Sequence, residues 1–111
     1  MLAIDYIEIP VHDLQAAKQF YGDLFGWTFV DYGEQYTAFS HARGQGGFNY
    51  QEKPSVGGVL IVLYSENLQE TFNHVARYGA PITKFIFDFP GGRRFQFRDP
   101  SGHELAVWSE Q

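Results

Sequence analysis

"IDYIEIPVHDLQAAKQFYGDLFGW", residues 4–27, changes its hydrophobic period halfway along, and that change sets the fold. Residues 3–9 alternate as a strand does, with Ile7 and Ile9 directed to one side. Asp13 then stands where a helix N-cap belongs, ahead of Leu14, Ala17, Tyr21 and Leu24 at helical spacing. Gly26 suits the left-handed position that ends a helix. The strand poses a question, because Tyr6, Glu8 and Pro10 occupy the side opposite the isoleucines. A phenol beside a carboxylate suits either a solvated face or the wall of a pocket.

Downstream, "WTFVDY", "YTAFSH" and "GGFNY" are β-branched and aromatic runs separated by turns at "GEQ" and "ARGQ". The first half therefore reads β-α-β-β-β. "QEKPSVGG", residues 51–58, carries the Pro, Ser and Gly punctuation of a connector. "VLIVLY" then reads as a strand and "SENLQETFNHVARYGA" as a helix, with Asn67 as N-cap, Glu70 completing a capping box and Gly79 past the end. "ITKFIFDF", "RRFQFRD", the turn "PSG" and "HELAVW" supply three more strands. The second half repeats the first: Asp13-Leu14-Gln15 and Asn67-Leu68-Gln69 lie 54 residues apart, and Gly26 and Gly79 lie 53 apart. The expected architecture is α+β, two tandem βαβββ modules forming a curved, cup-like mixed sheet with the helices outside. The modules are expected at 1–52 and 57–111, joined by a linker at 53–56, within one domain.

A chain of 111 residues suffices for one domain. Its net charge of −5 and lack of any basic run exclude the phosphate neutralisation that drives nucleic-acid binding. With no cysteine, neither a disulfide nor a thiolate ligand is available. No run approaches the ~20 apolar residues that span a bilayer, and the N-terminal residues do not resemble a signal peptide, so a cytoplasmic protein is expected. The helices have polar outer faces and give no support to a membrane role. The 11 Phe, 7 Tyr and 2 Trp exceed what so small a core requires, so some are expected on a contact surface.

Alternation assigns the faces. In the second half Val59, Ile61 and Leu63 are expected against the helix, leaving Leu60, Val62 and Tyr64 for the cup. Leu105 and Val107 go to the core, and Glu104, Ala106 and Trp108 to the cup. Phe95 and Phe97 go inside, with Arg94, Gln96 and Arg98 opposite. With Tyr6 and Glu8, these residues make a concavity of aromatic, apolar and charged character, too apolar at Leu60, Val62, Tyr64 and Trp108 for water alone.

"EIPVHDLQAAKQFYGDLFGW" and "FQFRDPSGHELAVW" resemble the opening and closing signatures of the vicinal oxygen chelate superfamily, the glyoxalase, bleomycin-resistance and extradiol-dioxygenase proteins. The resemblance covers essentially the whole chain and implies the duplicated fold and a homodimer. It implies no single activity, since the fold hosts lyases, isomerases, dioxygenases and drug-binding proteins. Enzymes of the superfamily hold a divalent metal with His, Gln and Glu projecting into the cup. In this chain the corresponding positions fall on Tyr6, Leu60 and Ala106, with a fourth among Gly47, Phe48 and Asn49. A transition ion needs three or four converging donors to offset its lost hydration. Tyr6, Leu60 and Ala106 offer one phenol at most, so neither the family's metal nor any other cofactor is expected. His12, His41, His74 and His103 do not fall at a ligand spacing.

Without a metal, Glu8 is the candidate general base for proton abstraction beside a carbonyl, provided no close cation pairs with it, and Arg94 would have to stabilise the enolate. The competing expectation is binding alone. About 200 Å² of buried apolar ligand surface is worth ~5 kcal/mol gross at ~25 cal/mol per Å², part of it offset by lost translational freedom. Stacking on Tyr6, Tyr64 or Trp108 with one charge contact would hold a small aromatic or amphipathic molecule. Whether the chain is an enzyme stays open: the readings are a binding protein, a metal-independent lyase or isomerase, and a metalloenzyme with shifted ligands.

Overall fold

The computed structural model describes residues 2–110 and divides into two compact units, one running through Ser55 and the other starting at Val56. The first contains β1 (Ile7–Pro10), α1 (Leu14–Phe25), β2 (Thr28–Asp31), β3 (Tyr36–His41) and β4 (Gly44–Asn49). The second contains β5 (Ile61–Tyr64), α2 (Leu68–Tyr78), β6 (Ile82–Phe89), β7 (Gly92–Arg98) and β8 (Glu104–Ser109). The sheets have the equivalent orders β1-β4-β3-β2 and β5-β8-β7-β6, so the expected βαβββ repeat is present. In each, the first strand pairs in parallel with the last and the remaining neighbours pair antiparallel.

Both helices form where their caps predict. Asp13 Oδ1 accepts a hydrogen bond from Ala16 N at 3.0 Å, and Gly26, at φ +71°, turns its N–H back onto the last carbonyls. Asn67 Oδ1 accepts from Glu70 N at 3.1 Å, and Gly79 ends α2 at φ +98°. The capping box is modified: Glu70 Oε2 takes the Asn67 side-chain amide at 3.4 Å, while Ser65 Oγ accepts from the Asn67 backbone N–H at 3.1 Å.

Helix α1 buries Ala17, Phe20, Tyr21 and Leu24 against β4. There Tyr21, Trp27, Phe39 and Phe48 interlock, with ring centroids 4.8–5.0 Å apart. Helix α2 packs on β7 and β8, where Phe72 meets Phe95 edge-on at 5.1 Å above Phe97, Leu105 and Val107. Much of the aromatic content thus fills the core of the first unit instead of lining a contact surface.

Three expectations need correction. The first strand begins at Ile7 rather than residue 3, because pairing with β4 starts at Ile7↔Gly46; Leu2 and Ile4 are exposed, and Ile7 itself is 43% exposed. The fifth strand begins at Ile61, and Val59, expected in the core, is 86% exposed. Both are edge strands, where an apolar side chain lacks a neighbouring strand on one side. The β3–β4 turn is shorter than "ARGQ", since Gly44 and Gln45 already pair with His41 and Ser40.

Candidate functional site

In each unit the sheet face away from the helix carries a group of polar and aromatic side chains. In the first unit Tyr6 Oη and Tyr36 Oη share a hydrogen bond of 2.7 Å. Glu8 continues the chain, engaging the Tyr36 hydroxyl and accepting from Asn49 Nδ2 at 3.3 Å. Burial pushes the Tyr36 phenol above its ordinary range, and its contacts with Tyr6 and Glu8 push it further, so it is held as the neutral donor. Gly47 makes the arrangement possible. A Cβ there would lie 2.0 Å from Tyr36 Oη and 2.6 Å from Tyr6 Oη, so any side chain at position 47 would occupy the space of the phenol pair.

Strand register narrows the fourth position that the resemblance implies to one residue. Glu8 pairs with Gly47 in the first unit, and Val62 pairs with Ala106 in the second; Glu8 and Val62 are 54 residues apart, so Gly47 is the mate of Ala106. The positions that the resemblance sets against metal ligands are then Tyr6, Gly47, Leu60 and Ala106, a phenol and three positions without a donor side chain. Among the described residues no three His, Cys, Asp or Glu side chains converge as a metal site would require. This donor set does not fit a transition ion.

The second unit presents a different surface. Trp108 stands opposite Arg94 on β7 and Tyr64 on β5, with the Tyr64 ring edge-on at 5.2 Å and Phe89 at 6.2 Å. The Arg94 guanidinium lies 5.3 Å from the Phe87 ring centre and 5.6 Å from that of Phe89. Farther along the face, Glu104 Oε2 accepts from Thr83 Oγ1 and Gln96 Nε2, each at 2.7 Å, with Arg98 Nη2 3.9 Å from Oε1. The Thr83 and Gln96 hydrogen bonds hold the Glu104 carboxyl below its ordinary range, with Arg98 and Lys84 assisting. Tyr64 donates to Glu110.

Of the residues expected to line the cup, Tyr6 and Glu8 lie on the first unit and the others on the second. Leu60 precedes β5 and is half-buried, and Val62 is 45% exposed. Ala106 is fully buried and Gln96 is 5% exposed, so neither offers a surface for direct ligand contact. Both sit centrally in the sheet, flanked on either side by paired strands.

Sequence reading missed Tyr36, although alternation with buried Thr37 and Phe39 places it on the same face as Glu8. It also missed Phe87, Phe89 and Thr83. Register shifts between Ile82 and Lys84 and between Lys84 and Phe87 break the period of two on β6. A cleft of about 540 Å³ opens elsewhere on the first unit, beside the start of α1, with His12, Lys18, Asp31, Glu34 and Tyr50 among its walls. Lys18 and Asp31 pair across 3.0 Å, and none of the expected site residues lines it.

Comparison with solved structures finds the same fold at low sequence identity. Lactoylglutathione lyase from Agrobacterium tumefaciens superposes with a TM-score of 0.80 at 23% identity, covering 98% of this chain and 94% of that one. A glyoxalase/bleomycin resistance protein/dioxygenase superfamily member from Sphaerobacter thermophilus DSM 20745 gives 0.78 at 22% identity, covering 98% of each chain. TioX from Micromonospora sp. ML1 gives 0.79 at 17% identity, covering 99% of this chain and 100% of that one. A comparison with curated proteins finds no match. Among the described residues no helix is long and apolar enough to cross a membrane. Residues 3–107 match the family profile as a whole, and the chain belongs to the Glyoxalase/Bleomycin resistance protein/Dioxygenase superfamily.

Proposed function

We propose that this chain is a cytoplasmic small-molecule-binding member of its superfamily, working as a homodimer and without a metal. The observation that carries the reading is the aromatic group of Tyr64, Phe89 and Trp108 on the sheet face that α2 leaves uncovered. Each ring is half-buried, so a planar ligand laid against Trp108 gains apolar contact while the sheet beneath is already ordered. The binding residues on this unit are Val62, Tyr64, Arg94 and Trp108, with Leu60 and Glu104 at the margins. Tyr6 and Glu8 are proposed as a second polar contact group.

The test is calorimetric titration with a panel of small aromatic compounds, alongside elemental analysis and mass measurement in solution. Saturable binding that Trp108→Ala weakens at least tenfold, a mass twice that of the chain, and substoichiometric metal are expected. A tightly bound transition ion, or a panel that binds Trp108→Ala as well as the parent, would overturn the reading.

A second reading, a lyase or isomerase acting beside a carbonyl, draws support from the Tyr6-Tyr36-Glu8 chain. Glu8 has Asn49 and Tyr36 as partners and no cation within ion-pair reach among the described residues. That leaves it able to accept a proton while Tyr36 acts as donor. Deuterium exchange into phenylacetone, followed by proton NMR and abolished by Glu8→Gln, would favour it. Exchange unaffected by that substitution would exclude Glu8 as the base.

A further inference from the structure

We propose that the ligand of the second unit's open face is an aromatic carboxylate, its anionic group held by Arg94 and its ring laid against Trp108. The inference rests on the small-molecule reading above and adds the sign of the ligand's charge and the group that reads it.

The charged groups on and beside this face are Lys84, Arg94, Arg98, Glu104 and Glu110, and their pairing is uneven. Arg98 donates to Gly102 O at 3.0 Å and lies near Glu104. Glu104 is engaged by Thr83 and Gln96, and Glu110 by Tyr64. Neighbouring Arg93, on the opposite side of its strand, pairs with Asp88 at 3.2 Å. Arg94 has no carboxylate within ion-pair reach among the described residues. Its guanidinium lies against the faces of Phe87 and Phe89, and its Nε is buried without a hydrogen-bond acceptor.

A half-buried guanidinium between aromatic rings has lost hydration that no acceptor replaces. Ring contact stabilises the cation but supplies no acceptor to its in-plane N–H groups. A carboxylate has the planar, two-oxygen geometry that matches a guanidinium edge. Strand pairing puts Trp108 directly across from Arg94, so a ligand whose carboxylate meets the guanidinium has its ring within reach of the indole. Lys84, 5.9 Å from the Phe87 ring centre, adds positive potential on the same side. The chain as a whole carries −5, so preference for an anion has to originate locally.

Three probes of one shape separate the possibilities: 3-phenylpropanoate, 3-phenylpropanamide and 3-phenylpropylamine, each titrated calorimetrically into the full chain. The acid is expected to bind at least tenfold tighter than the amide, the amine weakest, and the acid's advantage to shrink as salt is raised. Arg94→Gln should remove the acid's advantage over the amide. Arg94→Lys should retain part of it, because the charge remains and the fork is lost. In two-dimensional NMR the acid should shift the Trp108 indole signal and spare that of Trp27. Equal binding of acid and amide, or an acid affinity indifferent to Arg94→Gln, would overturn the charge assignment while leaving the binding face intact. Failure of all three probes to bind would count against the face itself and the inference with it.

Discussion

Replacing Gly47 by alanine tests whether the Tyr6-Tyr36 pair is fixed by the backbone beneath it. The new methyl would lie 2.0 Å from Tyr36 Oη, 2.4 Å from its Cζ and 2.6 Å from Tyr6 Oη, so the Tyr36 ring has to leave its position. Overpacking of this kind costs ~1–3 kcal/mol, and breaking the hydroxyl pair adds about 1 kcal/mol. A total near 2–4 kcal/mol is expected, read from urea unfolding as a lower midpoint at unchanged slope. The second half of the cycle is Tyr36→Ala, which removes the obstructing ring. In that background Gly47→Ala should cost at least about 1 kcal/mol less than it does alone. Gly46→Ala is the contrast, since its methyl meets the Ile7 carbonyl at 2.1 Å and Phe39 beside it, so truncating Tyr36 gives it no relief. A Gly47→Ala cost below ~0.5 kcal/mol, or costs that add within ~0.5 kcal/mol across the cycle, would refute the packing argument.

Gly26→Ala should destabilise by ~1–2 kcal/mol, because φ +71° is left-handed, whereas Gly22→Ala, inside α1 with ordinary van der Waals neighbours, should be neutral or gain up to ~1 kcal/mol; thermal unfolding of the two variants separates them. Tyr36 keeps its proton in the folded state at pH values where the unfolded phenol, near 10, has lost it. Its contribution is therefore complete below pH 10 and declines as pH rises above that value; Tyr36→Phe should flatten the decline in urea midpoints measured from pH 9 to 11. Glu104 shows the opposite sign: its lowered carboxyl contributes fully above its ordinary value of 4.5, and the contribution is lost as pH falls through the folded value. Glu104→Gln should be less stable than the parent at pH 7, with the gap closing in acid, as followed by circular dichroism during urea melts.

The parts of the fold most legible in the sequence are those encoded by one or two residues. Asp13, Asn67, Gly26 and Gly79 each announce a helix end through side-chain chemistry or a missing Cβ, and each is found in that role. Element order and the 54-residue repeat follow, because hydrophobic period survives where identity does not. Edges were less legible: Val59 and Ile7 have core-like side chains, and only the start of strand pairing reveals that they are exposed. The Arg94 environment was half legible. Its face followed from alternation on a regular strand, but the rings around it come from β6, whose two register shifts defeat alternation. Tyr36 was within reach of the same reasoning applied to β3, and its partnership with Tyr6 depended on a glycine whose meaning lies in three dimensions.

The parallel pairing of each unit's first strand with its last has a consequence for how the chain acquires its structure. β1 finds no partner until β4 has been made, some forty residues later, and β5 waits similarly for β8. The antiparallel hairpins β2-β3 and β3-β4 close short loops, whereas the parallel step closes a long one that includes a helix. During synthesis the first unit has all its strands by Asn49, before any strand of the second exists. An early arrest that omits β8 would strand β5 with an open row of amides and carbonyls, an invitation to pair with another nascent copy.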